Sequence, residues 1–139
     1  MREIIQIQVG QCGNQLGSTF WEVIGKEHGI DYEGNYNRFN SGTSNKDVHY
    51  RETSGGKHIP RALLVDLEPG VLSTIKVSSQ GRLFHPNNYV YGSSGAGNIW
   101  AKGYYTDGND LIETVIEAAR KEVEDCESLQ GFQLVHSLG

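Results

Sequence analysis

Apolar and polar residues alternate at the start of the chain and then change to a helical spacing. From residue 4 to residue 9, isoleucine and valine alternate with glutamine, which predicts a strand buried mainly on one face. From residue 10 to about residue 28, apolar residues recur every three or four positions, which predicts a helix with one core-facing stripe. The residues of that stripe are Cys12, Leu16, Phe20, Val23 and Ile24. The chain therefore opens with a strand, a tight turn and a helix.

The middle of the chain combines a long polar loop with a short buried strand. Gly, Asn and Ser dominate residues 30–60, so we expect a loop that contains one short edge strand at residues 48–52. Such a long loop is uncommon in a small domain, and the sequence leaves open whether it contacts a partner or is mobile. Residues 62–65 form a continuous apolar run, as a parallel strand covered on both faces requires, and a helix at residues 71–77 follows.

The last third of the chain predicts a strand, a glycine-rich loop, a long helix and another strand. The strands are expected at residues 88–91 and 132–136, and an aromatic stretch at residues 99–105 is expected to pack against the sheet. The long helix is expected from about residue 109 to residue 128, with its glutamates, Glu122 among them, on the solvent face. Its expected buried stripe consists of Ile112, Ile116, Ala119, Val123 and Cys126.

A turn that contains glycine follows every predicted strand. The glycines that mark these turns are Gly10, Gly70, Gly92 and Gly139. Strands that alternate with helices in this way predict an α/β fold with a doubly wound, mostly parallel sheet and flanking helices. Ligands bind such sheets outside the carboxyl ends of the strands. Turns that are distant in sequence should therefore meet at one ligand site.

The turn after the first strand is the first candidate for that site. It opens a helix, and a helix N-terminus offers free backbone N–H groups and a positive dipole end to a phosphate. Gly10 allows a tight turn. The small or amide side chains that follow it are Gln11, Cys12, Asn14 and Gln15. The glycine spacing matches neither the Rossmann fingerprint nor the P-loop, so an ordinary strand–turn–helix is the alternative.

Two further turns carry candidate chemistry. Asp66 and Glu68 share one face at the end of the buried strand, where their oxygens suit a Mg²⁺ that also holds phosphates. The alternative there is a solvated acidic turn that caps the next helix. Residues 92–98 are mostly Gly, Ser and Ala, which lets backbone N–H groups approach an anion closely; a flexible surface loop is the alternative. Because all three turns lie at strand ends, together they favour a nucleotide site.

Composition narrows the functional classes. The formal charge of −5 and the pI near 5.5 argue against nucleic-acid binding. No run of 18 apolar residues exists, and the apolar stretch at the N-terminus is too short for a signal peptide, so we expect no membrane partner. Cys12 and Cys126 lack a CxxC partner, which excludes a zinc knuckle and predicts two buried or half-buried thiols. The absence of a GxGxxG motif disfavours a nicotinamide-dependent oxidoreductase.

Several longer motifs resemble one known family. They are Met1-Arg2-Glu3-Ile4, Gly10-Gln11-Cys12-Gly13-Asn14-Gln15, Phe20-Trp21-Glu22, Val65-Asp66-Leu67-Glu68-Pro69-Gly70, Gly95-Ala96-Gly97-Asn98 and Trp100-Ala101-Lys102-Gly103. In this order they resemble tubulin, over essentially the whole chain. Cys12 and Asn14 are more similar to the β branch of the family than to the α branch. The chain departs from the β pattern at Lys26, where an acidic residue is usual, and at Ile99, where a second Asn is usual.

The resemblance implies a GTP-binding domain of the tubulin type. The implied nucleotide-binding residues are Gly10, Gln11, Cys12, Gln15, Glu68, Ala96, Gly97, Asn98 and Ser137. Glu68 would serve the Mg²⁺ through water, with Asp66 as an outer partner of the metal. No catalytic residue is implied within the chain, because the family completes GTP hydrolysis with an acidic residue from the neighbouring subunit.

The resemblance also implies partners and a location. A chain of this kind pairs with α-tubulin and assembles into microtubules of the cytoplasmic cytoskeleton. Residues 1–139 would form the N-terminal part of the GTPase domain, since the family's glycine-rich phosphate loop should begin at about Gly139 and the remainder of the family's chain is absent. The alternative is a truncated, non-catalytic fragment derived from tubulin that lacks a complete nucleotide site.

Overall fold

The computed structural model of this chain describes residues 2–42 and 45–139. In chain order the elements are β1 (Glu3–Val9), α1 (Gly10–His28), β2 (Tyr50–Glu52), β3 (His58–Pro60), β4 (Ala62–Asp66), α2 (Gly70–Val77), β5 (Tyr89–Tyr91), α3 (Trp100–Tyr105), α4 (Asp107–Glu124) and β6 (Leu129–Val135). Met1 of the first motif and residues 43–44 of the long loop lie outside the described residues. Among the described residues, none of the helices has both the length and the hydrophobicity to span a bilayer.

Four of the strands form one parallel sheet in the order β5-β4-β1-β6. Ile7 of β1 lies opposite Leu63 on one side and Leu134 on the other. β4 and β5 follow one another on one side of β1, and the chain then crosses to the other side of β1, where β6 pairs with it. Helix α1 lies on one face of the sheet and α4 lies on the opposite face. This arrangement confirms the predicted doubly wound, parallel fold, and it puts the change of direction beside β1.

The sheet separates two apolar cores. The first core, between α1 and the sheet, contains Trp21, Ile30, Tyr50, Ala62, Leu64, Leu72, Phe84 and Tyr89. The second core, beneath α4, contains Leu63, Val65, Val90, Leu111 and Val115. Alternate residues of β4 therefore enter opposite cores, which confirms the prediction of a strand covered on both faces.

The predicted core-facing stripe of α1 is wrong. Leu16 is 56% exposed, and Cys12 and Val23 are also exposed. The two members of the stripe that pack against the core, Phe20 and Ile24, are only half-buried. The residues that the helix buries are Gly13, Asn14, Gly17, Trp21, Gly25 and His28.

The buried face of α1 is built from glycine because the helix lies very close to the sheet. A Cβ atom at Gly13 would lie 2.1 Å from the carbonyl oxygen of Val135. A Cβ atom at Gly17 would lie 2.1 Å from the amide carbon of Gln8. Hydrophobic periodicity cannot identify such a face, since its closest contacts are made by residues without a side chain.

The buried face of α4 is rotated by one residue from the prediction. Ile112 and Ile116 are exposed. The residues of α4 that contact the second core are Leu111, Val115, Ala118 and Ala119. Glu122, which was expected in solvent, is buried and accepts a hydrogen bond of 2.8 Å from Nδ2 of Asn88. A buried carboxylate needs such a partner, and nothing in the periodicity points to a partner on a distant turn.

Both faces of β1 are buried, so the prediction of burial mainly on one face is wrong. Gln6 and Gln8 face α1 and are as inaccessible as Ile5, which points to the opposite face. Nε2 of Gln8 donates to Oε1 of Gln6 at 2.8 Å, and Nε2 of Gln6 donates to Oε1 of Gln133 at 3.4 Å. These hydrogen bonds accommodate polar side chains between helix and sheet.

Several boundaries and one packing prediction also change. The last strand begins at Leu129 and the long helix ends at Glu124, while the expected edge strand pairs with β3 in an antiparallel hairpin. The aromatic stretch forms α3, which packs against α4 rather than against the sheet. Trp100 is 70% exposed and stacks on Tyr104, with ring centroids 4.9 Å apart. These rings therefore contact one another instead of a core.

The β2–β3 hairpin lies against α1 and encloses three histidines. His28 and His58 are buried, and His49 packs edge-to-face on Phe20 with ring centroids 5.6 Å apart. Burial lowers the pKa of all three imidazoles. The positive charge of Lys46 adds to this effect on the pKa of His28 and His58, and the charge of His28 adds to it at His49. The carboxylates that oppose the effect are Glu27, Asp47 and Glu52.

We expect acid to loosen this hairpin. The three imidazoles protonate at lower pH in the folded protein than in an unfolded segment, where they protonate at their ordinary pKa of about 6.5. The unfolded segment therefore binds more protons below about pH 6.5, so the stability contribution is complete above that pH and is lost as the pH falls through the lowered pKa values. Amide hydrogen exchange of residues 45–61 in the full-length protein, corrected for intrinsic rates, should accelerate between about pH 7.5 and about pH 5.5.

A pair of variants checks the source of this acid response. His49→Gln should reduce the acceleration, because it removes one imidazole that must protonate. His136→Gln is the matched control, since His136 is exposed and lies far from the hairpin in sequence. Equal acceleration in both variants would contradict the role of the buried histidines.

The close contact of α1 with the sheet predicts an unusually costly alanine substitution. Gly13→Ala should lower the free energy of unfolding by about 1–3 kcal/mol, because the new methyl group meets a backbone carbonyl that cannot move away. Gly70→Ala, at a helical position with open space around the new Cβ, should change it by no more than about 0.5 kcal/mol. Urea denaturation of the two variants measures the difference, and equal midpoints would contradict the packing of α1 described above.

Candidate nucleotide-binding site

A cavity of about 1200 Å³ lies at the carboxyl edge of the sheet. The predicted site residues that line it are Gly10, Gln11, Cys12, Gln15, Asp66, Glu68, Ala96, Gly97, Asn98 and Ser137. They come from the ends of β1, β4 and β6 and from the loop after β5. The structure therefore brings together the nucleotide- and metal-site residues that the resemblance implies, at the edge where a doubly wound sheet binds its ligands, whereas Asn14 does not line the cavity.

The first wall of the cavity is the start of α1. Gly10 adopts a φ of +74°, a conformation that glycine reaches without strain, so the chain turns directly from strand into helix. Val9 at the N-cap provides no side-chain acceptor, and the first turn contains no acidic residue. The N–H groups and the positive dipole end at this helix start therefore remain available to an anion. Cys12 is exposed beside them, so the expectation of a buried or half-buried thiol is wrong at this position.

Cys126 matches the same expectation. It is half-buried, and burial raises the pKa of its thiol. Its Sγ lies 3.6 Å from Nη1 of Arg61, and both cysteines are free. Cys126 is not among the residues that line the cavity.

The second wall is the acidic turn after β4. Asp66 is only 8% exposed, and its Oδ1 accepts a hydrogen bond of 3.3 Å from the backbone N–H of Glu68. Its Oδ2 is buried and has no hydrogen-bond partner among the described residues. Burial raises the pKa of Asp66, and the neighbouring charge of Glu68 raises it further. A cation at this turn would relieve both effects, because it would neutralise a carboxylate that is removed from water.

The third wall is the glycine-rich loop, which is tied to the acidic turn. The backbone N–H of Gly92 donates to the carbonyl of Asp66 at 3.0 Å, and that of Gly95 donates to Leu67 at 3.1 Å. Gly97 and Asn98 adopt consecutive positive φ values of +58° and +57°. Successive N–H groups in such turns form a concave anion-binding surface. The hydrogen bonds to the acidic turn disfavour the alternative of a flexible surface loop.

The cavity also has an apolar side that the sequence analysis missed. Its residues are Val9, Val65, Ile99, Trp100, Leu111, Ile112 and Val115. Leu111 and Val115 recur at a four-residue step, which is a helical signal that the sequence contains. The predicted buried stripe of α4 lies one residue further along, at Ile112 and Ile116. An apolar wall opposite a few polar groups is the usual composition of a small-molecule site.

The acidic turn restricts the kind of metal that this site suits. The described residues contain no cluster of three or more His, Cys, Asp or Glu side chains that could hold a metal ion. A zinc ion with four protein ligands therefore does not fit these residues. Mg²⁺ fits better, because it binds through one or two carboxylates and takes its other ligands from water and phosphate oxygens.

Comparison with known proteins agrees with this geometry. The profile described as "Tubulin/FtsZ family, GTPase domain" matches residues 3–139. The chain belongs to the Tubulin/FtsZ family. This finding confirms the resemblance that the motifs carried, including the GTPase-domain character of the sheet and its loops.

The similarity is high to the β chains of this family. The chain is 58% identical to the tubulin beta chain of Porphyra purpurea and 57% identical to the nucleomorph tubulin beta chain of Guillardia theta. It is 55% identical to the tubulin beta chain of Enteroctopus dofleini. Each alignment covers 100% of this chain and 31–32% of the relative, so the chain spans about a third of the length of the curated relatives that it matches.

Proposed function

We propose that residues 1–139 contribute the N-terminal part of a GTP-binding domain in a tubulin-type subunit. The observation that supports the proposal is that two loops suited to an anion and one loop suited to a cation line the same cavity. The chain that forms this cavity belongs to the Tubulin/FtsZ family. The subunit would pair with α-tubulin and assemble into microtubules in the cytoplasm. Similarity of 55–58% to tubulin beta chains supports this proposal over a general nucleotide-binding role.

In this proposal the chain binds GTP mainly through backbone groups. The start of α1 would receive the phosphates through the N–H groups of Gln11 and Cys12, while Gln15 would reach the nucleoside. The loop at Ala96, Gly97 and Asn98 would contact the γ-phosphate, because these residues line the same cavity. Ser137 would contribute from the end of β6.

The acidic turn would hold Mg²⁺ beside the phosphates. Glu68 is exposed at the cavity and would bind the ion through water, while Asp66 would orient that water from behind. When bound, Mg²⁺ would neutralise charge on the phosphate oxygens. Gly95 lies against the Glu68 side chain, with its nearest carboxylate oxygen 3.3 Å from an ideal Cβ position, so the glycine-rich loop limits where that carboxylate can move.

Hydrolysis would be completed outside this chain. The carboxylates on the cavity, Asp66 and Glu68, are both assigned to the metal side, so the proposal leaves no general base among the cavity residues described here. We assign none of them as catalytic. The chain would position GTP and stabilise its charges, and an acidic residue from a neighbouring subunit would orient the attacking water in the polymer.

A non-catalytic fragment derived from tubulin is the second candidate. Exposed apolar side chains favour it, because Ile116, Phe132 and Leu134 each leave half or more of their surface accessible. A chain that serves only in contacts with other proteins would present such a surface and would retain no nucleotide.

Nucleotide retention in the full-length protein separates these candidates and tests the site. Gln11→Ala and Glu68→Ala should each accelerate GTP release by about tenfold or more, because the first removes a side-chain amide that lines the cavity and the second removes the carboxylate assigned to Mg²⁺. Release is measured with labelled GTP after rapid removal of free nucleotide. Glu113→Ala, an exposed glutamate of α4 that does not line the cavity, is the matched control and should release GTP like the unmodified protein. Unchanged retention in both site variants would contradict the site, and absence of bound GTP in the unmodified protein would support the fragment.

A further inference from the structure

Asn14 joins two walls of the cavity. It is a fully buried residue near the start of α1. Its Nδ2 donates to the carbonyl oxygen of Gly10 at 2.8 Å and to that of Val65 at 2.9 Å. Gly10 begins the phosphate-facing turn, and Val65 directly precedes Asp66. One amide group therefore spans the start of α1 and the acidic turn.

We propose that Asn14 is a positioning residue for the nucleotide, which fixes the start of α1 relative to the acidic turn. The inference rests on the proposed function, since it concerns the same GTP and Mg²⁺ site. Asn14 would touch neither the nucleotide nor the metal; it would act through Gly10 on the phosphate side and through Val65 on the metal side.

The place of Asn14 in the fold explains why such a tie is needed. The pairing of β1 with β4 runs from Gln6 opposite Ala62 to Val9 opposite Val65 and goes no further. Beyond that pair, the strand ladder no longer holds Gly10 and Asp66 together. The side chain of Asn14 makes its two hydrogen bonds at this point, where the pairing of β1 with β4 ends.

The packing of α1 fixes the reach of this side chain. The neighbouring Gly13 lies directly against the carbonyl of Val135, and Gly17, one turn later, lies against Gln8. These contacts hold the helix backbone close to the sheet, so a short amide is long enough to reach β4. The amide oxygen of Asn14 has no partner among the described residues, so the two donated hydrogen bonds determine the orientation of the group.

The chemistry of the two acceptors makes an amide necessary. Both are backbone carbonyls, which cannot rotate to become donors. Asparagine supplies two N–H donors on one nitrogen, whereas an aspartate of the same shape would place a carboxylate against two carbonyl oxygens. Asn14→Asp should therefore separate the two walls with little change in side-chain volume.

Gln8 provides a matched control in the same interface. It is also fully buried between α1 and the sheet, and its amide oxygen also lacks a partner among the described residues. Its Nε2 donates to Oε1 of Gln6, a side-chain amide that can rotate and offer a donor instead. Gln8→Glu thus introduces the same chemical change without touching a bond between the walls of the cavity.

The experiment compares GTP release from the full-length protein and its variants over a range of Mg²⁺ concentrations, together with thermal unfolding of each. Asn14→Asp should release GTP about tenfold faster or more and should need more Mg²⁺ for half-maximal retention, because both sides of the site shift. Gln8→Glu should release GTP at a rate within about twofold of that of the unmodified protein, although it should lose about as much thermal stability as Asn14→Asp does. Asn14→Ser, which keeps one donor on a shorter side chain, should fall between them and decides the question if Asn14→Asp does not fold.

Two results would overturn the inference in distinguishable ways. If Asn14→Asp and Gln8→Glu release GTP at the same rate and with the same Mg²⁺ dependence, Asn14 serves only in packing, while the proposed function stands. If the unmodified protein retains no GTP, both the proposed function and the positioning role of Asn14 are contradicted.

Discussion

The close approach of α1 to the sheet is the constraint on which the rest of this structure depends. Gly13 packs on the backbone carbonyl of Val135 and Gly17 packs on the side chain of Gln8, so the start of the helix lies directly at the carboxyl edge of β1 and β6. That placement brings the free N–H groups of the helix start to the same edge as the acidic turn of β4. It also lets the short side chain of Asn14 reach Val65. A larger residue on this helix face would move the start of α1 away from the carboxylates of the acidic turn.

The two faces of the sheet are built from different chemistry, and the cavity uses both. Beneath α1 the contacts near the site are polar: Gln6, Gln8 and Asn14 are buried amides with directional hydrogen bonds. Beneath α4 they are apolar, and Leu111 and Val115 extend that core to the cavity wall. Directional hydrogen bonds fix the position of α1 on one face, while the apolar wall on the other face would keep water away from one side of a bound ligand.

The sequence predicts the topology and the positions of the three loops better than it predicts which faces of the helices are buried. Glycines at strand ends mark chain reversals, which every parallel α/β sheet needs, so the fold and the three loops could be predicted. The buried face of α1 could not, because a face made of Gly13 and Gly17 has no hydrophobic signal. The same limit applies to Glu122, whose burial depends on Asn88, a partner that only the folded chain brings near. Periodicity assumes that apolar means buried, and these contacts depend instead on close approach and on hydrogen bonding.

The most direct test of this account is an experimental structure of the full-length protein with a slowly hydrolysed GTP analogue and Mg²⁺. The account predicts phosphate oxygens within hydrogen-bond distance of the backbone N–H groups of Gln11 and Cys12, with Mg²⁺ density on the side of Glu68. The γ-phosphate should lie against the loop that contains Gly97 and Asn98. A nucleotide bound elsewhere, with these three loops open to solvent, would contradict the account.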